Sequence, residues 1–173
     1  IIEAGQMNVC FSDCNVNDII QYSYDFFKPG AANKHLDISF KKLLPDDKAI
    51  IKTDKDKVIA IIGNLISNAI KFTDTGSVEF GYHVIDNAYL EFYVKDTGIG
   101  ITPDQREIIF ERFRQGSENL NRNYEGAGLG LYICRKYAEM IGGKIWGENN
   151  PDNSGTAPGS LFKFIIPFNM INE

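Results

Sequence analysis

Histidine, cysteine and unbroken apolar runs are all scarce in this chain, and each scarcity removes a class of function. Two histidines and three cysteines occur in 173 residues. Cys10 and Cys14 have no second Cys or His pair near enough to complete a zinc site, and an odd cysteine count does not make a disulfide framework, so reduced structural thiols are expected. His35 lies in the turn-like string ANKHLD and His83 in a strand-like run, and neither has a partner that points to general-base work. No apolar run approaches the roughly 20 residues of a membrane span, and no signal peptide precedes the first strand. The chain therefore reads as soluble and cytoplasmic, with no membrane contact of its own. Basic excess is lacking too: the formal charge is −5 and the lysines and arginines are scattered, which sets nucleic acid aside.

What is present is the composition of one ordinary globular domain, 43% hydrophobic and 24% charged, with enough chain for a real core. The order predicts a strand near 9–11 and a helix over 16–27, capped by Asn15 or Asn17 and ended by KPG. Two short strands, LDISF and AIIKT, flank the turn LPDD, and Asp54 opens a long helix. SVEFGYHVI and LEFYVKD alternate and form a hairpin about the turn at Asp86 to Ala88. DTGIGI leads into a short helix beginning at Pro103, and RQGSENLNRNYEGAG is a polar, glycine-rich loop of a length expected of a lid. A helix over 130–141 closed by glycines and two strands, KIWGE and SLFKFIIPF, finish the chain. The expected fold is a two-layer α/β sandwich, a mixed and mostly antiparallel sheet with helices on one face.

The long helix carries a peculiarity. In NLISNAIKFT, Asn64, Asn68 and Lys71 fall at i, i+4 and i+7 on one face, beside an apolar stripe of Val58, Ile61, Ile62, Leu65, Ile66, Ala69 and Phe72. Asparagine prefers caps and turns, so two of them one turn apart within an apolar helix need a reason. Their amide oxygens are neutral hard ligands suited to magnesium, and Lys71 is a point charge for phosphate. GAGLG, residues 126–130, follows a polar loop and not a strand, so it is no dinucleotide fingerprint; it leaves a helix start at Gly130 whose free N–H groups suit phosphate. In DTGIG, Asp96 follows a strand end and Gly98 and Gly100 permit close approach of a flat ring. A carboxylate there accepts from the exocyclic amine of adenine and faces the oxygen of guanine unpaired.

In this order the motifs resemble those of the ATP-binding catalytic domain of sensor histidine kinases, in the GHKL superfamily. NLISNAIKFT resembles the asparagine box, DTGIGI the first glycine box, IFERF the phenylalanine box, GAGLGL the second glycine box and GSLFKFIIP the final strand motif. The resemblance implies a Bergerat ATP-binding fold that binds ATP with Mg2+. Asn64 and Asn68 would hold the metal, Lys71 would meet the phosphates, and Asp96 would take the adenine amine with support from Ser160. Gly98, Gly100, Gly126, Gly128 and Gly130 would shape the loops, Phe110 and Phe113 would anchor the lid, and Phe72, Phe110 and Leu129 belong to the implied nucleotide-binding set. Arg112 would stabilise phosphate charge during transfer. Ala60 stands where many members have glutamine, and the extra residues of SGTAPGS lengthen the approach to the last strand around Thr156.

Asn64 stands where the hydrolysing relatives resemble one another in a water-activating glutamate, so hydrolysis is expected to be poor and Asn64 and Arg112 to serve transfer. Neither histidine resembles a phosphoacceptor. Residues 1–7, IIEAGQM, resemble the end of a dimerisation helix and its linker, leaving 8–173 as the catalytic domain. The expectation is a monomeric fragment of a homodimeric parent, with the parent's dimerisation and phosphoacceptor domain and a response regulator receiver domain as partners. A serine kinase of anti-sigma type and a nucleotide-free interaction module stand as alternatives.

Overall fold

Two periods, one of about 3.6 residues and one of 2, divide the chain. In this computed structural model residues 8–111, 130–152 and 157–168 are described. They form β1 (Ser12–Asn15), α1 (Val16–Asn33), β2 (Asp37–Lys41), β3 (Ile50–Thr53), α2 (Lys55–Lys71), β4 (Ser77–Ile85), β5 (Tyr89–Asp96), α3 (Gln105–Ile108), α4 (Gly130–Met140), β6 (Lys144–Asn149) and β7 (Ser160–Pro167). In the hairpin Val78, Phe80, Tyr82, Leu90, Phe92 and Val94 are buried on one face, while Glu79, His83, Glu91 and Lys95 keep solvent contact on the other, where only the paired Gly81 and Tyr93 are also buried. Asp86 and Asn87 turn between the strands, each at φ 53°, the left-handed region that this hairpin turn uses and that Asp and Asn tolerate.

Five strands lie in the order β2-β4-β5-β7-β6, parallel between β2 and β4 and antiparallel elsewhere. Helices α1, α2 and α4 contribute their apolar faces to one core over this sheet, with Phe80, Phe92 and Phe164 from the strands; Phe92 and Phe164 stack at 4.6 Å. The expected mixed, mostly antiparallel α/β sandwich is the fold observed. A second, two-stranded sheet accompanies it, in which β1 pairs antiparallel with β3 from Ser12↔Thr53 to Asn15↔Ile50.

Three boundaries differ from expectation. The first strand lies at Ser12–Asn15 and not at 9–11, because its partner β3 sets the register. The third helix begins at Gln105, with Pro103 in the turn before it. The largest difference is α1, which runs through Pro29 and Gly30 to Asn33. Proline costs the bond to the carbonyl of residue 25, but Asp25, Pro29 and Gly30 are all exposed, so the loss falls on the solvent side of the helix. Ala31, fully buried, holds the last turn, and its carbonyl receives the N–H groups of Lys34 and Leu36.

The start of α1 is tied to the sheet by a buried polar network. Asn15 caps the helix by accepting from Asn17 N at 2.9 Å. Asn17 Nδ2 donates to Leu44 O at 2.8 Å and to Asp46 Oδ1 at 2.7 Å, while its Oδ1 accepts from Tyr82 Oη at 2.6 Å. Tyr82 Oη in turn accepts from Leu44 N at 2.9 Å. Burial pushes the Tyr82 hydroxyl pKa up, so it stays a donor at neutral pH. Tyr82→Phe leaves Asn17 Oδ1 and Leu44 N without this partner, and urea unfolding should show a loss of about 1–3 kcal/mol. A loss below about 0.5 kcal/mol would show that solvent replaces the hydroxyl.

Candidate functional site

Most of the apolar stripe read from the sequence is the buried face of α2: Val58, Ile61, Ile62, Leu65, Ile66 and Ala69 are each 4% exposed or less, whereas Phe72 is the C-cap just past the helix and only half-buried. Asn64 and Asn68 lie half-buried beside it. Asn64 Nδ2 donates to Ala60 O at 3.0 Å, one turn back. Its oxygen faces the first residue of α4, where a Cβ on Gly130 would lie 3.0 Å from Oδ1. Glycine at that position is what lets α4 start against the asparagine. Cys134, one turn into α4, is fully buried against Ile61 O, and burial lifts its thiol to about 12 against the opposing amide of Asn64. It packs in the core between α2 and the sheet-covering face of α4.

The C-terminal end of α2 is held by a residue that sequence reading missed. Lys34 Nζ donates to Ile70 O at 2.7 Å and to Lys71 O at 3.3 Å, placing a cation at the negative end of the helix. Lys71 itself carries its ammonium 5.7 Å from the centre of the Phe72 ring. Phe72 O accepts from Ile99 N, so the helix end and the glycine loop 96–101 are bonded directly.

Asp96 ends β5 at 3% exposure. Its Oδ1 accepts from Gly98 N at 2.9 Å and from Ser160 N at 3.0 Å, so the support from Ser160 comes through its backbone. Both bonds end on one oxygen, which leaves Oδ2 to a donor from outside the described residues. Burial pushes the carboxyl up to about 6, although both amide bonds pull it down. Gly98 lies against Phe72 O and Thr73 Oγ1, and Gly100, at φ 76°, lies against Pro158, so the close approach there is made by the protein's own chain. Thr73 Oγ1 is buried beside Gly98 with no hydrogen-bond partner among the described residues.

Phe110 is buried with Ile101 and Ile109 against Leu131, Ile145 and Phe162, its ring 6.1 Å from that of Phe162. It anchors the end of the described segment to α4 and the sheet. Arg112, Phe113, Gly126, Gly128, Leu129 and Thr156 lie outside the described residues, as do residues 1–7. Asn64 meets the start of α4 at Gly130, Asp96 is bonded to Gly98 and Ser160, and the bond from Ile99 N to Phe72 O joins the end of α2 to the loop that follows Asp96. Besides Lys34, the sequence reading missed Asn149 and Asn150, whose side chains bond Ile101 N and Asp96 O.

A carboxyl raised from its ordinary 3.8 to about 6 favours the folded state when protonated. This contribution is full below pH 3.8 and is lost as pH rises through about 6. Asp96→Asn removes the cost of the buried charge. In thermal or urea unfolding the nucleotide-free variant should exceed the parent by about 1–3 kcal/mol at pH 7.5, with the two converging near pH 4. A variant less stable than the parent at pH 7.5 would show that the amide bonds outweigh burial.

Comparison with known proteins agrees with this geometry. A family profile described as histidine kinase-, DNA gyrase B-, and HSP90-like ATPase matches residues 53–170. Hybrid signal transduction histidine kinase K of Dictyostelium discoideum is 32% identical over 179 residues, covering 96% of this chain and 14% of that protein. Full-length ShkA, solved in complex with AMPPNP, superposes with a TM-score of 0.80 at 28% identity, over 96% of this chain and 33% of that one. Histidine kinase ThkA, solved in complex with response regulator protein TrrA, gives 0.74 at 26% identity, over 93% of this chain and 42% of that one. The chain spans less than half of each of these proteins. With an asparagine face against the start of α4, a buried strand-end aspartate and this match, the chain belongs to the histidine kinase-, DNA gyrase B- and HSP90-like ATPase family, as an ATP-binding catalytic domain of the sensor histidine kinase kind.

Proposed function

We propose that this domain presents ATP with Mg2+ for transfer of the terminal phosphoryl group to a histidine on a dimerisation domain of its parent protein. The observation that carries the reading is the buried Asp96 carboxylate, with Oδ1 committed to Gly98 and Ser160 and Oδ2 left to a base amine. Guanine offers an oxygen at the same place, so the site discriminates by charge. Asn64, Asn68 and the start of α4 at Gly130 are assigned to the phosphates on this reading, supported by the approach of Asn64 Oδ1 to Gly130.

Among the described residues no three His, Cys, Asp or Glu converge. A divalent cation would be held by the amide oxygens of Asn64 and Asn68 together with the phosphates of ATP, a donor set that suits magnesium. When bound, it neutralises phosphate charge during transfer. Asn64 is no base and its amide nitrogen is committed to Ala60 O, so it cannot activate water as a carboxylate would. Positioning without a water-activating base favours transfer to a protein acceptor over hydrolysis. Lys71 and Arg112 are the cations assigned to the phosphates, Gly126 and Gly128 are assigned to shaping the loops, Phe113 to anchoring the lid and Leu129 to the nucleotide-binding set. Residues 1–7 are assigned to the end of a dimerisation helix, the parent to a cytoplasmic homodimeric kinase module, and its onward partner to a response regulator, as ThkA is seen with TrrA.

Calorimetry with Mg-ATP tests the reading. The wild type should bind ATP, GTP should not compete, and Asp96→Ala should weaken binding roughly 10- to 150-fold, the worth of one hydrogen bond to a charged group. Hydrolysis should stay slow, and phosphorylated histidine should form only when the dimerisation domain is supplied. Absence of binding, or equal binding by Asp96→Ala, would leave an interaction module as the better account.

A further inference from the structure

We propose that Asn149 and Asn150 are positioning residues for base recognition: two consecutive asparagines that clamp both ends of the glycine loop 96–101 and so hold the Asp96 carboxylate where the base must meet it. This rests on the ATP reading above. Asn149 closes β6, and the register Asn149↔Ser160 and Asp96↔Ser160 sets these three residues in one row across β6, β7 and β5. Its Oδ1 accepts from Ile101 N at 3.0 Å, at the far end of the loop. Asn150, just beyond the strand and 7% exposed, donates from Nδ2 to Asp96 O at 3.0 Å, at the near end.

Each asparagine amide is matched to its place. Asn150 Oδ1 accepts from Asp152 N at 3.0 Å, so its side chain works as donor and acceptor at once. An aspartate could keep the turn to Asp152 but could not donate to Asp96, and it would add a second charge beside a buried carboxylate. The backbone completes the clamp: Asn150 N donates to Gly159 O at 3.2 Å, and Gly159 N donates to Gly98 O at 2.9 Å. Asp96 is thus gripped through its carboxylate by Gly98 and Ser160 and through its carbonyl by Asn150. A loop fixed before the ligand arrives lowers the ordering cost of binding and keeps a single acceptor in the narrow geometry that a hydrogen bond requires.

Asn150→Ser tests this, because serine retains an acceptor for the Asp152 turn and removes the amide donor. ATP and purine riboside triphosphate, which carries hydrogen in place of the adenine amine, are titrated into wild type and variant by calorimetry. The ATP affinity should fall about five-fold and the affinity for the analogue stay unchanged, so that the preference for ATP falls by the same factor. Equal losses for both nucleotides, or none for either, would overturn the clamp while leaving the nucleotide reading intact. A wild type that binds no ATP overturns the nucleotide reading and the clamp's role with it. Hydrogen exchange on the wild type decides the matter even where the variant does not fold. The Ile101 amide and the Asn150 side-chain amide should already exchange slowly without nucleotide, and slowing of more than about ten-fold that comes only with ATP would overturn a preformed clamp.

Discussion

A carboxylate taken out of water at the end of a central strand is the constraint on which the site depends. Asp96 is tolerated there because two backbone amides reach one of its oxygens, and those amides come from places 2 and 64 residues away in the chain. The first demands a glycine, since Gly98 must lie against the carbonyl of Phe72 to turn its N–H back. The second demands that β7 enter the sheet at Ser160, in register with Asp96. The residual cost of burial, seen in the raised pKa, is what a bound donor would relieve.

The helix α2 serves both the core and the site because its two faces are a fraction of a turn apart. Its apolar face fixes its rotation over β4 and β5, and that rotation alone decides that Asn64 meets Gly130. Its far end is not left to propensity: the ammonium of Lys34 takes the last carbonyls, and Phe72 bonds the loop at Ile99. The asparagine face and the aspartate loop are parts of one bonded framework.

How much of this could be read from the sequence follows from the range of the interactions. Asn64, Asn68 and Gly130 were legible because helical spacing and a helix start are local properties, and Asp96 because a strand end followed by glycines is local too. Pro29 and Gly30 misled for the same reason: they stop helices by local rules, whereas here their solvent exposure and the burial of Ala31 let α1 continue. The first strand was misplaced by three residues because its pairing with β3 is set 35 to 41 residues away. Asn149 and Asn150 were illegible, since ENNP reads as any strand end before a turn, and what distinguishes them is a partner loop 48 to 54 residues distant. Lys34 looked like one surface cation among many until its reach to Ile70 O was seen.

The strand order carries a kinetic consequence. The neighbours of β5 are β4, joined to it by a three-residue turn, and β7, which arrives only after the whole of α4 and β6 has been made. The hairpin can form early from local contacts, but its strand-end carboxylate has no second amide until the last described strand is in place. Until then that carboxylate stays hydrated and the loop is unclamped. On the proposed reading, a chain that still lacks β7 cannot hold Asp96 for a base. The ligand acts as a selector of finished molecules: it withdraws completed domains from the unfolding equilibrium by mass action and leaves partly folded ones exposed.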